Sequence, residues 1–245
     1  MKTLLGVLAT LGLVSLPLQG QILLGKGDYS QDFNSLAGPP ETRASWSDNK
    51  TLPGWSACRE VFKENESAAF RGYRVSDGSA NNGWIYSFGS GTGDTAGDRA
   101  LGSIASGTPK TIAFGVAFSN DTASVLKDFA VSYTGEQWRD SGKDQQQTLE
   151  FSFSITQSAF TNLEPASVLG WRAVKALDFK SPVFSGTMQP LDGNAKSNRV
   201  EFVKVPLPDA TLKSGEVLTV RWSDADDSGA DHGLAVDDFK LTFSK

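Results

Sequence analysis

Apolar side chains recur at every second position in four stretches of this chain. Residues 111–120 alternate Ile112, Phe114, Val116 and Phe118, and residues 128–135 alternate Phe129, Val131 and Tyr133. Residues 148–156 set Leu149, Phe151, Phe153 and Ile155 against Glu150, Ser152 and Ser154, and residues 216–224 alternate Leu218, Val220 and Trp222. A period of two places one face of a strand in a core and the other in water, the pattern of antiparallel strands. Shorter strands are expected at 31–36, 84–88, 100–105, 171–179 and 200–205. No stretch holds a helical period; residues 158–170 have room for one helical turn. Turn-rich segments at 76–83, 89–98 and 191–198 separate the strands. Residues 37–74 are the least regular and are expected to form long loops over one end. The sum is an all-β chain of about ten strands, an antiparallel, jelly-roll-like β-sandwich.

Composition fits this picture. The chain has 245 residues, 39% hydrophobic and 21% charged, with 25 glycines, 10 prolines and 15 phenylalanines. That is a globular composition, neither disordered nor membrane-like. Residues 1–20 read as a signal peptide: Lys2 opens it, an apolar run from Leu4 to Leu18 follows with Gly6, Gly12 and Pro17 inside, and Gly20 is small enough for cleavage. Residues 21–245 then form one sandwich domain in a secreted or periplasmic protein, with no membrane span after cleavage. A formal charge of −5 argues against nucleic acid as partner. The single cysteine, Cys58, rules out an internal disulfide, reads as a small buried residue, and leaves His232 as its only histidine for any Cys–His pair.

Charge is concentrated in 223–239, which hold six aspartates between two strand-like segments. Asp224, Asp226, Ser228 and Gly229 match the start of a calcium loop, but Ala235 stands where an EF-hand needs glutamate, so an EF-hand is rejected. The apolar face then changes parity: Leu234 and Val236 are even, Phe239, Leu241 and Phe243 odd. A β-bulge at Asp237–Asp238 accounts for the change. If the first and last strands pair, Asp32 meets Asp238. Three readings stay open: a structural Ca²⁺ on Asp32, Asp224, Asp226, Asp237 and Asp238; a bulge paired with arginine; or solvated turn residues.

The segments YSQDFNSLA, SDNKTLPGW, DRALGSIASGT, VSYTGEQWR, LDGNAKSNR and WSDADDSGADHGLAVDDF, in this order, resemble a module of exported proteins of environmental bacteria. Such proteins often carry PEP-CTERM-type sorting tails; a sorting helix of that kind is not seen here. The resemblance implies a jelly-roll sandwich similar to carbohydrate-binding and lectin-like modules and says little about activity.

Candidate ligand residues follow from the pattern. Trp138 offers a stacking face, and Glu136 and Arg139 flank it with polar groups. The alternative places Trp138 in the core and pairs Arg139 with a C-terminal aspartate. Trp46, Trp55 and Trp84 lie in or beside loops, where they form a glycan platform or pin the loops. No GxSxG, zinc set or P-loop is present, and His232 reads as an exposed turn residue. The leading function is an exported module binding extracellular glycan or another cell-surface component. The alternatives are a jelly-roll polysaccharide hydrolase or lyase with Glu136 as its best-placed acid, and a structural or adhesive envelope protein. Oligomeric state is not legible.

Overall fold

Each period-two stretch forms a strand in the computed structural model, which describes residues 21–61, 66–157, 163–164, 167 and 169–245. The signal-peptide expectation for residues 1–20, and most of the expected helical turn at 158–170, lie outside the described residues. Seventeen strands are formed among the described residues: β1 (Ile22–Leu23), β2 (Tyr29–Gln31), β3 (Arg43–Ser45), β4 (Trp55–Val61), β5 (Glu66–Ala69), β6 (Gly72–Ser76), β7 (Trp84–Phe88), β8 (Ala100–Ile104), β9 (Thr111–Ser119), β10 (Lys127–Ser141), β11 (Thr148–Thr156), β12 (Arg172–Ala173), β13 (Phe179–Lys180), β14 (Met188–Pro190), β15 (Arg199–Pro206), β16 (Val217–Ala225) and β17 (Gly233–Ser244). The surplus over about ten consists of two- to four-residue strands at the flanks, too short to carry a readable alternation.

Two sheets stack face to face. The first runs β12-β11-β16-β9-β4-β5, with β1 beside β9 and β13 beside β11; the second runs β14-β10-β17-β8-β7-β6-β3, with β15 beside β10 and β2 beside β17. From β8 to β11, and again from β16 to β17, the chain crosses between sheets, the jelly-roll habit. Pairing is antiparallel except for β1–β9 and β6–β7. Residues 37–74 are more regular than expected, because β3 to β6 lie there; Trp55 and Ala57 of β4 face the core opposite Val116 and Phe114.

Trp222 joins the layers. Its ring lies 6.1 Å from Trp55 and Phe114 and 5.3 Å from Phe151 in its own sheet, and 5.2 Å from Tyr133 and 5.6 Å from Phe239 in the other. All six rings are at most 2% exposed. Removing one such ring from a packed core costs about 3–5 kcal/mol. A polar bridge crosses the same interlayer space: Ser103 Oγ of β8 donates to Asp224 Oδ2 of β16 at 2.7 Å.

The bulge is present. Ser132 pairs with Lys240 but Thr134 pairs with Asp237, so β17 carries one extra residue there, and Asp238 has φ +50°. Strand β2 pairs with β17 beside it, Gln31 opposite Phe239, which brings Asp32 to Asp238, as expected if the first and last strands pair.

Candidate functional site

The outer face of the first sheet is not open to water as its serines and threonine imply. Register places Cys58, Ala113, Ser223 and Glu150 in one row across β4, β9, β16 and β11; Ser56, Gly115, Arg221, Ser152 and Ala173 form the next. Ser152, Thr219, Arg221 and Ser223 are all buried. Leu163, Glu164, Ser167 and Trp171, between β11 and β12, form a strap over them, with Leu163 and Trp171 packed on Cys58 and Ala113.

Arg221 pins that strap. Its Nε donates to Ser152 Oγ at 3.0 Å, one terminal nitrogen donates to the carbonyls of Leu163 and Glu164, and the other to the Ser167 carbonyl at 2.5 Å. The guanidinium carbon stands 3.9 Å from the centre of the Trp171 ring. Burial pulls its pKa down to about 10, still charged at neutral pH. Gly115 makes this possible: a Cβ there would stand 2.8 Å from the Arg221 Cα.

Beside the strap a groove of about 280 Å³ opens along β11 and β16. Thr111, Glu150, Ser152, Ser167, Trp171 and Ala173 line one part, with Lys175, Arg221, Ser223 and Ala225. On its rim Lys175 Nζ bridges Glu150 at 3.0 Å and Asp178 at 3.3 Å. Thr111 Oγ1 donates to Glu60 at 3.1 Å. Ser223 Oγ is buried and has no hydrogen-bond partner among the described residues. Hydroxyls, an indole edge and compensated charges in a shallow concavity suit a polyhydroxylated ligand.

The expected ligand residues lie elsewhere. Trp138, on the outer face of the second sheet, is 1% exposed, stacked on Phe88 at 6.1 Å and covered by Gly193. Trp55 is fully buried in the core. Neither has a free face for a sugar, because flanking loops and the facing sheet cover them. Trp46 is also buried, its Nε1 donating to Asp48, in keeping with loop pinning. Trp84 is half-buried, held by its N–H to the Gly72 carbonyl at 2.7 Å and by Phe70 and Arg59. Arg139 donates to the carbonyls of Gly78 and Ser79 rather than to an aspartate.

Glu136 is 1% exposed. It accepts from Trp138 Nε1 at 3.0 Å and lies 3.3 Å from Arg199, which also stands 4.0 Å from Asp238. The arginine beside the bulge is therefore Arg199. Burial pushes Glu136 up to about 8 against the pull of Arg199 and Trp138. Asp237, on the next strand, is pushed by burial and by Glu136 to about 9.

The five carboxylates expected around calcium do not form one site. Asp237, Asp238 and Asp32 sit at the β2–β17 junction of the second sheet. Asp224 points between the layers, pushed by burial up to about 8, and Asp226 lies in the following loop beside Asp231. Among the described residues no group of three or more His, Cys, Asp or Glu side chains is arranged to hold a metal ion.

His232 is fully buried, not an exposed turn residue. Its Nδ1 accepts the Ser141 N–H at 2.9 Å, which leaves the proton on Nε2 beside the Gln145 carbonyl at 3.2 Å. Asp140, 3.7 Å from Nδ1, thus faces a neutral ring. Cys58 is buried as expected, its thiol pushed up by burial to about 12.

Sequence reasoning missed Ser152, Trp171, Lys175, Arg221 and Ser223. The one available signal was Arg221 centred on the polar face of a strand otherwise bearing only small side chains there.

No protein-family model matches the chain, and no curated protein sequence matches it. Among solved structures it is similar to a carbohydrate-binding module, CBM28, specific for non-crystalline cellulose. The identity is 13% and the TM-score 0.34, over 86% of this chain and 99% of that one. A second similar structure was described as the structural basis for the promiscuous specificity of carbohydrate-binding modules from the β-sandwich superfamily. Its identity is 10% and its TM-score 0.30, over 84% of this chain and 64% of that one.

Proposed function

We propose that this protein is an exported, non-enzymatic β-sandwich module that binds extracellular polysaccharide in the groove on the outer face of its first sheet. The observation that carries the reading is the groove itself: strap, strands β11 and β16 and the Glu150–Lys175 pair enclose a concavity whose lining is hydroxyl, indole and paired charge. Rigid strands supply the floor, so little ordering is needed on binding. Export rests on the Lys2 and Leu4–Leu18 pattern. Among the described residues no helix is long and apolar enough to cross a membrane.

Affinity electrophoresis against soluble polysaccharides tests the reading. Wild type should be retarded, and Ala173→Trp should not be, because Ala173 is an exposed lining residue whose enlargement fills the groove without touching the core. Equal retardation of both proteins would place binding elsewhere.

The hydrolase or lyase reading has one feature in its favour: a Glu136 carboxyl raised to about 8 holds a proton at neutral pH, as a general acid must. Its 1% exposure leaves no path for substrate. Release of new reducing or unsaturated ends would restore that reading.

A further inference from the structure

We propose that the groove takes an uncharged saccharide and that Ser223 makes the hydrogen bond on which this choice turns, an inference that rests on the glycan-binding reading above.

The first argument is an accounting of charge. Lys175, Arg221 and Glu150 line the groove, and two cations in a pocket invite an anionic ligand. Neither is available to one. Lys175 is held between Glu150 at 3.0 Å and Asp178 at 3.3 Å. Arg221 has its fork on the Leu163, Glu164 and Ser167 carbonyls and its Nε on Ser152. A uronate or sulfate would have to strip three carbonyls from the guanidinium, or part Lys175 from Glu150 and then face the released carboxylate. The first leaves a buried guanidinium without these acceptors; the second gains little, because the exposed Lys175 charge is already matched by Glu150 and Asp178 and any anion there meets those carboxylates.

The second argument is the hydroxyl left over. Of the three buried hydroxyls without a hydrogen bond among the described residues, Ser141, Thr219 and Ser223, only Ser223 lines the groove. It stands opposite Glu150 on one side and Ala113 on the other. A buried hydroxyl without a partner is a cost to the free protein. A sugar hydroxyl, donor and acceptor at once, satisfies it in either sense. Ser152 stands on the adjoining row; its Oγ accepts from Arg221 and keeps its own proton for a second ligand oxygen.

The test is isothermal titration of the full chain, at low and at high salt, with neutral mixed-linkage glucan, arabinoxylan and galactomannan and with anionic alginate and polygalacturonate. Binding of at least one neutral polymer is expected, with the same affinity at both salt levels. Ser223→Ala should weaken it about tenfold, with a melting temperature no lower than wild type, because the deleted group had no partner to lose; Ser223→Thr, which keeps the hydroxyl, should retain binding. Salt-sensitive binding of alginate or polygalacturonate alone would overturn the inference and leave glycan binding standing. Neutral binding unchanged in Ser223→Ala would overturn the role of Ser223. No binding of any polymer would overturn this inference and the glycan-binding reading together.

Discussion

The Arg221 guanidinium lies 3.9 Å from the centre of the Trp171 ring while its nitrogens hold three carbonyls of the same strap. One side chain thus fixes both the roof of the groove and its aromatic wall. Only arginine can do this, because the planar fork serves several acceptors at once and still stacks.

Arg221→Lys should therefore lower stability by about 2–4 kcal/mol and speed amide exchange at Leu163, Glu164, Ser167 and Trp171 ahead of the rest of the described chain. A melting transition and exchange pattern equal to wild type would show that the strap is held by other contacts.

The two outer-face tryptophans should behave oppositely. Trp138 is packed among Tyr86, Phe88, Ala100, Ile104 and Ala235, so Trp138→Ala should cost about 3–5 kcal/mol without changing ligand affinity in the protein that stays folded. Trp171→Phe should keep the fold and weaken binding. Urea unfolding and titration, run on both variants, check the pair.

Alkaline solution should destabilise the fold. Burial raises Glu136 to about 8, Asp237 to about 9, Asp224 to about 8 and Asp231 to about 7, from ordinary values of 4.5 for Glu and 3.8 for Asp. Within those windows the folded state binds more protons than the unfolded one, so stability falls as pH rises. His232 acts in the opposite sense: burial lowers its pKa below 6.5, so acid favours the unfolded state, which can take up that proton. Between pH 6.5 and pH 9 the carboxyl trend leads, joined toward pH 9 by the buried Cys58 thiol, raised from 9.0 to about 12 and acting in the same sense, and the melting temperature should decline across it. A flat or rising profile would contradict the buried placement of these carboxyls.

Arg199, 23% exposed, is the ionic partner of Glu136. Arg199→Met should cost about 1–3 kcal/mol, more at pH 9 than at pH 6.5, because Glu136 then carries its charge without compensation. Protons and Arg199 offset these carboxyls, so chelator or added calcium should leave the wild-type melting temperature unchanged. A calcium-dependent rise would show that an ion shares the cluster.

The fold was largely legible and the site was not. Alternation located β9, β10, β11 and β16, and the parity change between Val236 and Phe239 located the bulge, because both follow from the two-residue repeat of a strand. Strand β4 was missed because Arg59 and Glu60 interrupt a short alternation. The polar faces of β11 and β16 were expected to face water, as local pattern dictates. They are covered by a strap distant in sequence from β16, and one chain carries no signal for that contact. Trp138 drew attention as an aromatic flanked by Glu136 and Arg139, and Trp55 as one beside a loop, yet alternation cannot tell a stacking platform from a second apolar layer. His232 was misplaced for a related reason: its burial depends on Ser141 and Gln145, about ninety residues away.

Hydrogen–deuterium exchange with and without a saturating neutral polysaccharide tests the account most directly. Protection confined to residues 149–152, 171–175 and 221–225 is the predicted result. Protection instead around Trp84, Glu136 and Trp138 on the opposite sheet, with the groove unchanged, would contradict it.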